Sequence, residues 1–392
     1  MRTRGRELTL IVVVLVVVAV ATPQAHAATP DIHAHRGGTV QNGAPRFAEE
    51  SMRAYRSAAR DGFVLEVDAK LTEDGVPVAI HDATLDRTTN CTGEVRTFTL
   101  AELAGCRTDV LGSPGSPLRT RGARRTEPIA TIADVLAFAR RIGAGVNLEI
   151  KNVPTDPDFD STPAFANRVM DVVIASRISR RQLIVQSFVA SNLDVARRRL
   201  PGVTTSLLAI QAINEAYLQT ASTNRYDLIS PEWPVSADYV RRAHSMRLEV
   251  APFTLDRQAD VRAAKRAGVD ALITDDPLMA AFALGLRPVR RFAAVAVIRG
   301  RRLHALGVLG LPTGVGRTDG CRGTVTMRVM TRTRVLPTGR GRVGLACRFN
   351  FSVRRPARLR RPLVAIRFNG NNVLLPRLDG PERATRLLMG GP

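Results

Sequence analysis

The alternation of short β-branched runs with stretches of helical spacing, over roughly residues 30–286, predicts an α/β fold of the (β/α)8 TIM-barrel type. An open doubly wound sheet is the weaker alternative. Two further observations frame that prediction. Charged residues occupy the ends of four of the apolar runs, where strand interiors normally carry Val or Leu, and the charge balance changes abruptly near residue 287.

The chain opens with Arg2, Arg4 and Arg6, an apolar run from Leu8 to Ala21, and small residues at Ala25 and Ala27. This is the three-part layout of a secretory signal peptide over 1–27, the alternative being an anchor that is never cut. The run sits near the lower limit of about 17 residues for a spanning helix. A secreted or cell-envelope protein is therefore expected. No later segment approaches that apolar length, so the remainder is expected to be soluble. Four cysteines in an exported chain suggest disulfides, and the local pairs Cys91–Cys106 and Cys321–Cys347 are favoured because they fall in different domains.

The strand candidates, in order, are 31–35, 63–69, 76–81, 146–151, 183–188, 203–209, 226–230, 247–253 and 270–274. Helical spacing fills most gaps, as in "TIADVLAFARRIG" and "RQADVRAAKRAG". Nine candidates are one too many for eight strands. The connection from Asp68 to Val76 is also shorter than the dozen or so residues of a parallel crossover, so a hairpin detour is expected there. The barrel is expected over 28–286, followed by a linker over 287–318 and a second domain over 319–392.

Side chains alternate along a strand, so in "VLEVDA" Glu66 and Asp68 share one face while Leu65, Val67 and Ala69 share the other. If the apolar face packs on the helices, both carboxylates point into the barrel at its C-terminal mouth, where active sites sit. Two desolvated carboxylates need a cation, and a divalent metal is the usual one; ion-paired structural acids are the bland alternative. "NLEIK" repeats the arrangement with Glu149 and Lys151, "IHAHRGG" ends a strand with His35 and Arg36, and "AIHD" ends another with His81. Together these residues describe a metal site beside an anion site, Arg offering phosphate a planar fork and Lys a point charge.

At this point six ordered segments, "AHRGG", "AEESMRAYRSA", "EVDAKLTEDGVPVAIHDATLDRTTNCTGEV", "NLEIK", "VQSF" and "GVDALITDDP", resemble the motifs of glycerophosphodiester phosphodiesterases over about 31–285. The resemblance implies a barrel with a segment inserted after the third strand, here about 82–130 and holding Cys91 and Cys106. It implies metal-dependent hydrolysis of glycerophosphodiesters to sn-glycerol 3-phosphate and an alcohol. Carried over by position, Glu66, Asp68 and Glu149 look like ligands of one Ca²⁺ or Mg²⁺, and His35 and His81 like the acid/base pair. Arg36 and Lys151 would hold phosphate, and Glu49 would support the metal or a substrate hydroxyl.

The pattern is departed from at Ala48-Glu49-Glu50-Ser51, where the family usually has Pro-Glu-Asn-Thr, and at Phe253-Thr254, where it often has Trp-Thr. His33, two residues before His35, reads as structural and His244 as a surface helix residue. Trp233 is equally suited to walling the alcohol side or to packing.

From Arg287 onward the chain has 23 arginines against Asp319, Asp379 and Glu382. Its period-two runs, clearest from Val343 to Val353, predict a small antiparallel sandwich stapled by Cys321 and Cys347. Its arginines are suited to anionic envelope polymers or lipid headgroups, or else merely solvate the domain; no nucleic acid is expected. Two other readings stand beside the phosphodiesterase: a sphingomyelinase D-like phospholipase, and a non-catalytic envelope-binding protein. The latter predicts loss of at least one of His35, His81, Glu66, Asp68 or Glu149, and all five are present.

Overall fold

The computed structural model describes residues 29–41, 43–108, 127–210, 214–331, 336, 339–354, 362–383 and 385–386. The leader expected over 1–27 lies outside them. Eight parallel strands form the barrel: β1 (Asp31–Ala34), β2 (Val64–Leu71), β4 (Val146–Ile150), β5 (Leu183–Ser187), β6 (Thr204–Ala209), β7 (Leu228–Pro231), β8 (Glu249–Val250) and β9 (Ala271–Thr274). From β1 to β8 each pairs with its neighbour in that order, and β1 pairs with β9. Across the remaining seam, Asp270 N donates to Val250 O at 3.0 Å and Ile273 N to Pro252 O at 2.9 Å.

The surplus candidate is β3 (Pro77–Ala79), which lies antiparallel to β2 with Ala79 opposite Ala69. The short connection leaves no room for a crossover helix, so the chain turns back on itself. The inserted segment follows and closes on its own small core of Leu85, Val95, Leu103 and Cys106 against Val78 and Ile80, with the Cys91–Cys106 disulfide formed.

Helices cover the barrel with amphipathic faces. In Ile132–Ile142, Thr131 and Asp134 form a capping box, Ile132, Val135, Leu136, Ala139 and Ile142 are buried, and Gly143 ends the helix at φ +77°. Leu65, Val67 and Ala69 are fully buried beneath the helices.

The stretch expected as a linker is a β-hairpin. Arg291–Arg299 and Arg302–Gly310 pair antiparallel through Gly300, and the second strand also pairs with Arg348–Arg354. Its strands are apolar at almost every interior position, FAAVAVI over 292–298 and LHALGVLG over 303–310, so no period-two contrast marks two faces. A second sheet comprises Thr324–Met330, Gly339–Arg342, Leu363–Phe368 and Arg377–Arg383. Both sheets share one core, built on Leu303, Leu309, Val325, Met327, Phe349 and Phe368, with the Cys321–Cys347 disulfide at its edge. The continuous strand expected over 343–353 is also corrected. A turn closed by Cys347 N to Gly344 O interrupts it and leaves Leu345 79% exposed.

This domain docks on the barrel face at the strands' N-terminal ends, opposite the C-terminal mouth. Pro376 packs on Gly62 just before β2, Arg377 pairs with Asp61, and Leu375 joins the barrel core. Arg367 Nη1 donates to Gly143 O at 3.2 Å while the Arg328 guanidinium covers Gly143, whose left-handed φ and lack of a Cβ permit that approach.

Candidate active site

Two neighbouring strands carry the acidic centre. Asp68 on β2 stands beside Glu149 on β4, with Glu66 one pleat deeper. The three carboxylates are buried, and their ligand atoms lie within 4.8 Å of one another. Glu66 accepts from Arg36 N and from Gln186 Nε2, both at 2.8 Å. Asp68 accepts no hydrogen bond on either oxygen among the described residues; Arg36 Nε and Lys151 Nζ each stand 3.6 Å off. Glu149 Oε1 lies 3.1 Å from Lys151 Nζ.

Burial, reinforced by the neighbouring acids, pushes Glu66 up to about 7 and Glu149 up to about 8. Burial also opposes ionisation of Asp68, but Lys151, His81 and Arg36 together outweigh it and hold this carboxyl well below the usual range. Three buried hard-oxygen donors, one with both oxygens unsatisfied, fit a divalent cation.

The imidazoles flank this centre and each is tied through Nδ1. His35, in the turn after β1, meets Asp275 Oδ1 at 2.7 Å, and His81 meets Asp82 Oδ1 at 2.6 Å. Burial disfavours charge on both. Asp275 reverses that for His35, whose pKa is raised, whereas His81 stays lowered. Arg36 adopts a left-handed backbone (φ +51°), which lets its amide reach Glu66 while its side chain turns toward Glu49, Nη1 to Oε2 3.3 Å.

A cavity of about 560 Å³ opens above these groups. His35, Arg36, Glu66, His81, Glu149 and Lys151 line it together with Phe188, Leu208, Ile210 and Phe253. Trp233 is not among the lining residues and packs on the barrel core. His33 is buried deeper in the barrel, 3.3 Å from Asn147 Nδ2, and His244 sits on an exposed helix beside Asp270.

Several participants escaped the sequence reading. Arg87, from the insertion, donates to Asp82 at 2.6 and 2.9 Å and to Glu49 at 2.6 and 2.9 Å, so one guanidinium ties the orienting partner of His81 to the partner of Arg36. Asp275 and Gln186 lay inside quoted motifs without a stated role. Glu50 is buried at φ +58°, accepts from Asp68 N at 3.3 Å and meets the Tyr55 hydroxyl. Burial and the acids around it push its pKa well up.

The model of the glycerophosphoryl diester phosphodiesterase family matches residues 35–279. A glycerophosphodiester phosphodiesterase of Caldanaerobacter subterraneus subsp. tengcongensis is 28% identical over 247 residues, covering 62% of this chain and 93% of its own. One from Bacillus altitudinis is 26% identical over 250 residues, covering 63% and 94%. An Oleispira antarctica phosphodiesterase solved in complex with the product sn-glycerol-3-phosphate shares the fold, with a TM-score of 0.54 at 20% identity over 65% of this chain and 97% of that one. The match takes in both imidazoles, all three acids and Asp275 and spans more than half of the chain, which therefore belongs to the glycerophosphoryl diester phosphodiesterase family, enzymes that hydrolyse glycerophosphodiesters.

Proposed function

We propose that the protein is a metal-dependent phosphodiesterase that releases sn-glycerol 3-phosphate and an alcohol, with Glu66, Asp68 and Glu149 holding one Ca²⁺ or Mg²⁺. The observation that carries this reading is Asp68, a buried carboxylate with two unsatisfied oxygens, between two further acids and two imidazoles. Bound there, the ion would polarise a phosphoryl oxygen and offset developing charge. Arg36 and Lys151 hold the phosphate, and Glu49 keeps Arg36 in place with Arg87.

The two imidazoles divide the proton work. Asp82 shares its charge with Arg87, so it stabilises imidazolium at His81 less than Asp275 does at His35. His81 then takes a proton from the attacking water at Nε2. His35 gives one from Nε2 to the leaving alcohol oxygen as the P–O bond breaks. His35→Ala and His81→Ala should stay folded and keep stoichiometric metal while losing more than about a hundredfold in kcat. A variant that loses its metal instead would make that histidine a ligand.

The leader and the two disulfides support export to an oxidising compartment. The arginine-rich domain, docked away from the mouth, would bind anionic envelope polymers or lipid headgroups without touching the reaction.

A further inference from the structure

Lys70 follows Glu66 and Asp68 on the inward face of the same strand, and it is fully buried. A buried ammonium needs close compensation. It receives more than one charge's worth: Nζ lies 2.6 Å from Asp156 Oδ2 and 2.8 Å from Asp158 Oδ1. Both acids belong to the segment after β4 that gives Val153, Thr155, Asp156 and Pro157 to the cavity wall. Two carboxylates on one ammonium leave a net negative charge. Asp158 is closed off from the cavity, with its side chain 4% exposed and Oδ2 without a hydrogen bond among the described residues. Asp156, 28% exposed, is the member that opens into the cavity.

The other acids around the cavity have partners or a role of their own: Glu66 and Glu149 belong to the metal floor. Arg36 and Lys151 face the acids of the floor, and Asp82 is clamped by Arg87. The surplus at Asp156 therefore meets whatever arm of the substrate extends from the phosphate toward this wall. Its surroundings there, Val153 and Pro157, suit the carbon around a substituted ammonium better than a second anion.

We propose that Asp156, held in place by Lys70, is a specificity-determining residue that binds the ammonium group of a cationic leaving alcohol. The inference rests on the phosphodiesterase reading above. Its test is the ratio of kcat/KM for glycerophosphocholine to that for uncharged-arm glycerophosphoglycerol. In Asp156→Asn the ratio should fall roughly three- to fivefold, through KM, as expected for a part-exposed charge pair. In the wild type the same ratio should decline as NaCl rises from about 20 to 500 mM, because the pair is open to screening. An active wild type whose ratio ignores salt, or an Asn variant that slows both diesters equally, overturns the inference and leaves the phosphodiesterase intact. Wild-type protein inert on both diesters overturns the proposed function and this inference with it.

Discussion

Acidification should loosen the barrel through His33. This imidazole is buried, with Nδ1 3.3 Å from the amide nitrogen of Asn147, a donor, so Nδ1 must accept and the ring is neutral. Burial lowers its pKa from 6.5 to about 4. The unfolded chain takes up a proton near pH 6.5 that the folded barrel refuses. The neutral ring's contribution is thus fully present above about pH 6.5 and is lost as pH falls toward 4. At about 1.36 kcal/mol per pH unit, moving from pH 7.5 to 4.5 should remove about 2.5 kcal/mol by this route. Trp233, the single tryptophan, packs on the barrel core and reports barrel unfolding in urea. Other groups titrate in the same range, so the comparison is with His33→Gln, which should lose about 2.5 kcal/mol less over that interval. Equal losses in both proteins, or a His33 ring proton titrating above pH 6 by NMR, would refute the reasoning.

Arg87→Met should keep the fold and the metal but lower kcat about 10- to 100-fold, the usual cost of removing a partner that orients an active-site group; unchanged kcat in steady-state assays would make the clamp purely structural. Replacing Cys91 and Cys106 by serine opens a 15-residue loop and should destabilise the protein by about 3 kcal/mol, measured by denaturant unfolding. Retention on anionic liposomes should fall steeply between about 50 and 500 mM salt, and further when exposed Arg299, Arg301, Arg340 and Arg348 become serine. Retention that ignores both changes would mean these arginines only solvate the domain.

Much of the barrel was legible because its strands carry long apolar faces at period two and its helices carry caps, as at Thr131 and Gly143. The hairpin at Pro77–Ala79 announced itself through a connection too short to cross over. The second domain was read only in part. Apolar residues at nearly every interior position give Arg291–Gly310 no contrast between faces, and a buried cysteine in a turn mimics a strand residue at Cys347. At the site, Glu66, Asp68 and Glu149 stood out because charge at inward strand positions demands a reason. Arg87 did not, since an arginine in a loop is ordinary until folding brings it between Glu49 and Asp82. Lys70 and its two acids were equally silent, being 86 and 88 residues apart.

The central claim is that Glu66, Asp68 and Glu149 form one metal site on which hydrolysis depends. Its most direct test is turnover of glycerophosphocholine by protein stripped with EDTA, then titrated with Ca²⁺ or Mg²⁺ alongside calorimetry on wild type and Glu149→Gln. The stripped enzyme should be inactive and recover with one equivalent of bound ion, and the variant should bind that ion at least about tenfold more weakly and lose activity in step. Full turnover by metal-free protein would contradict the account.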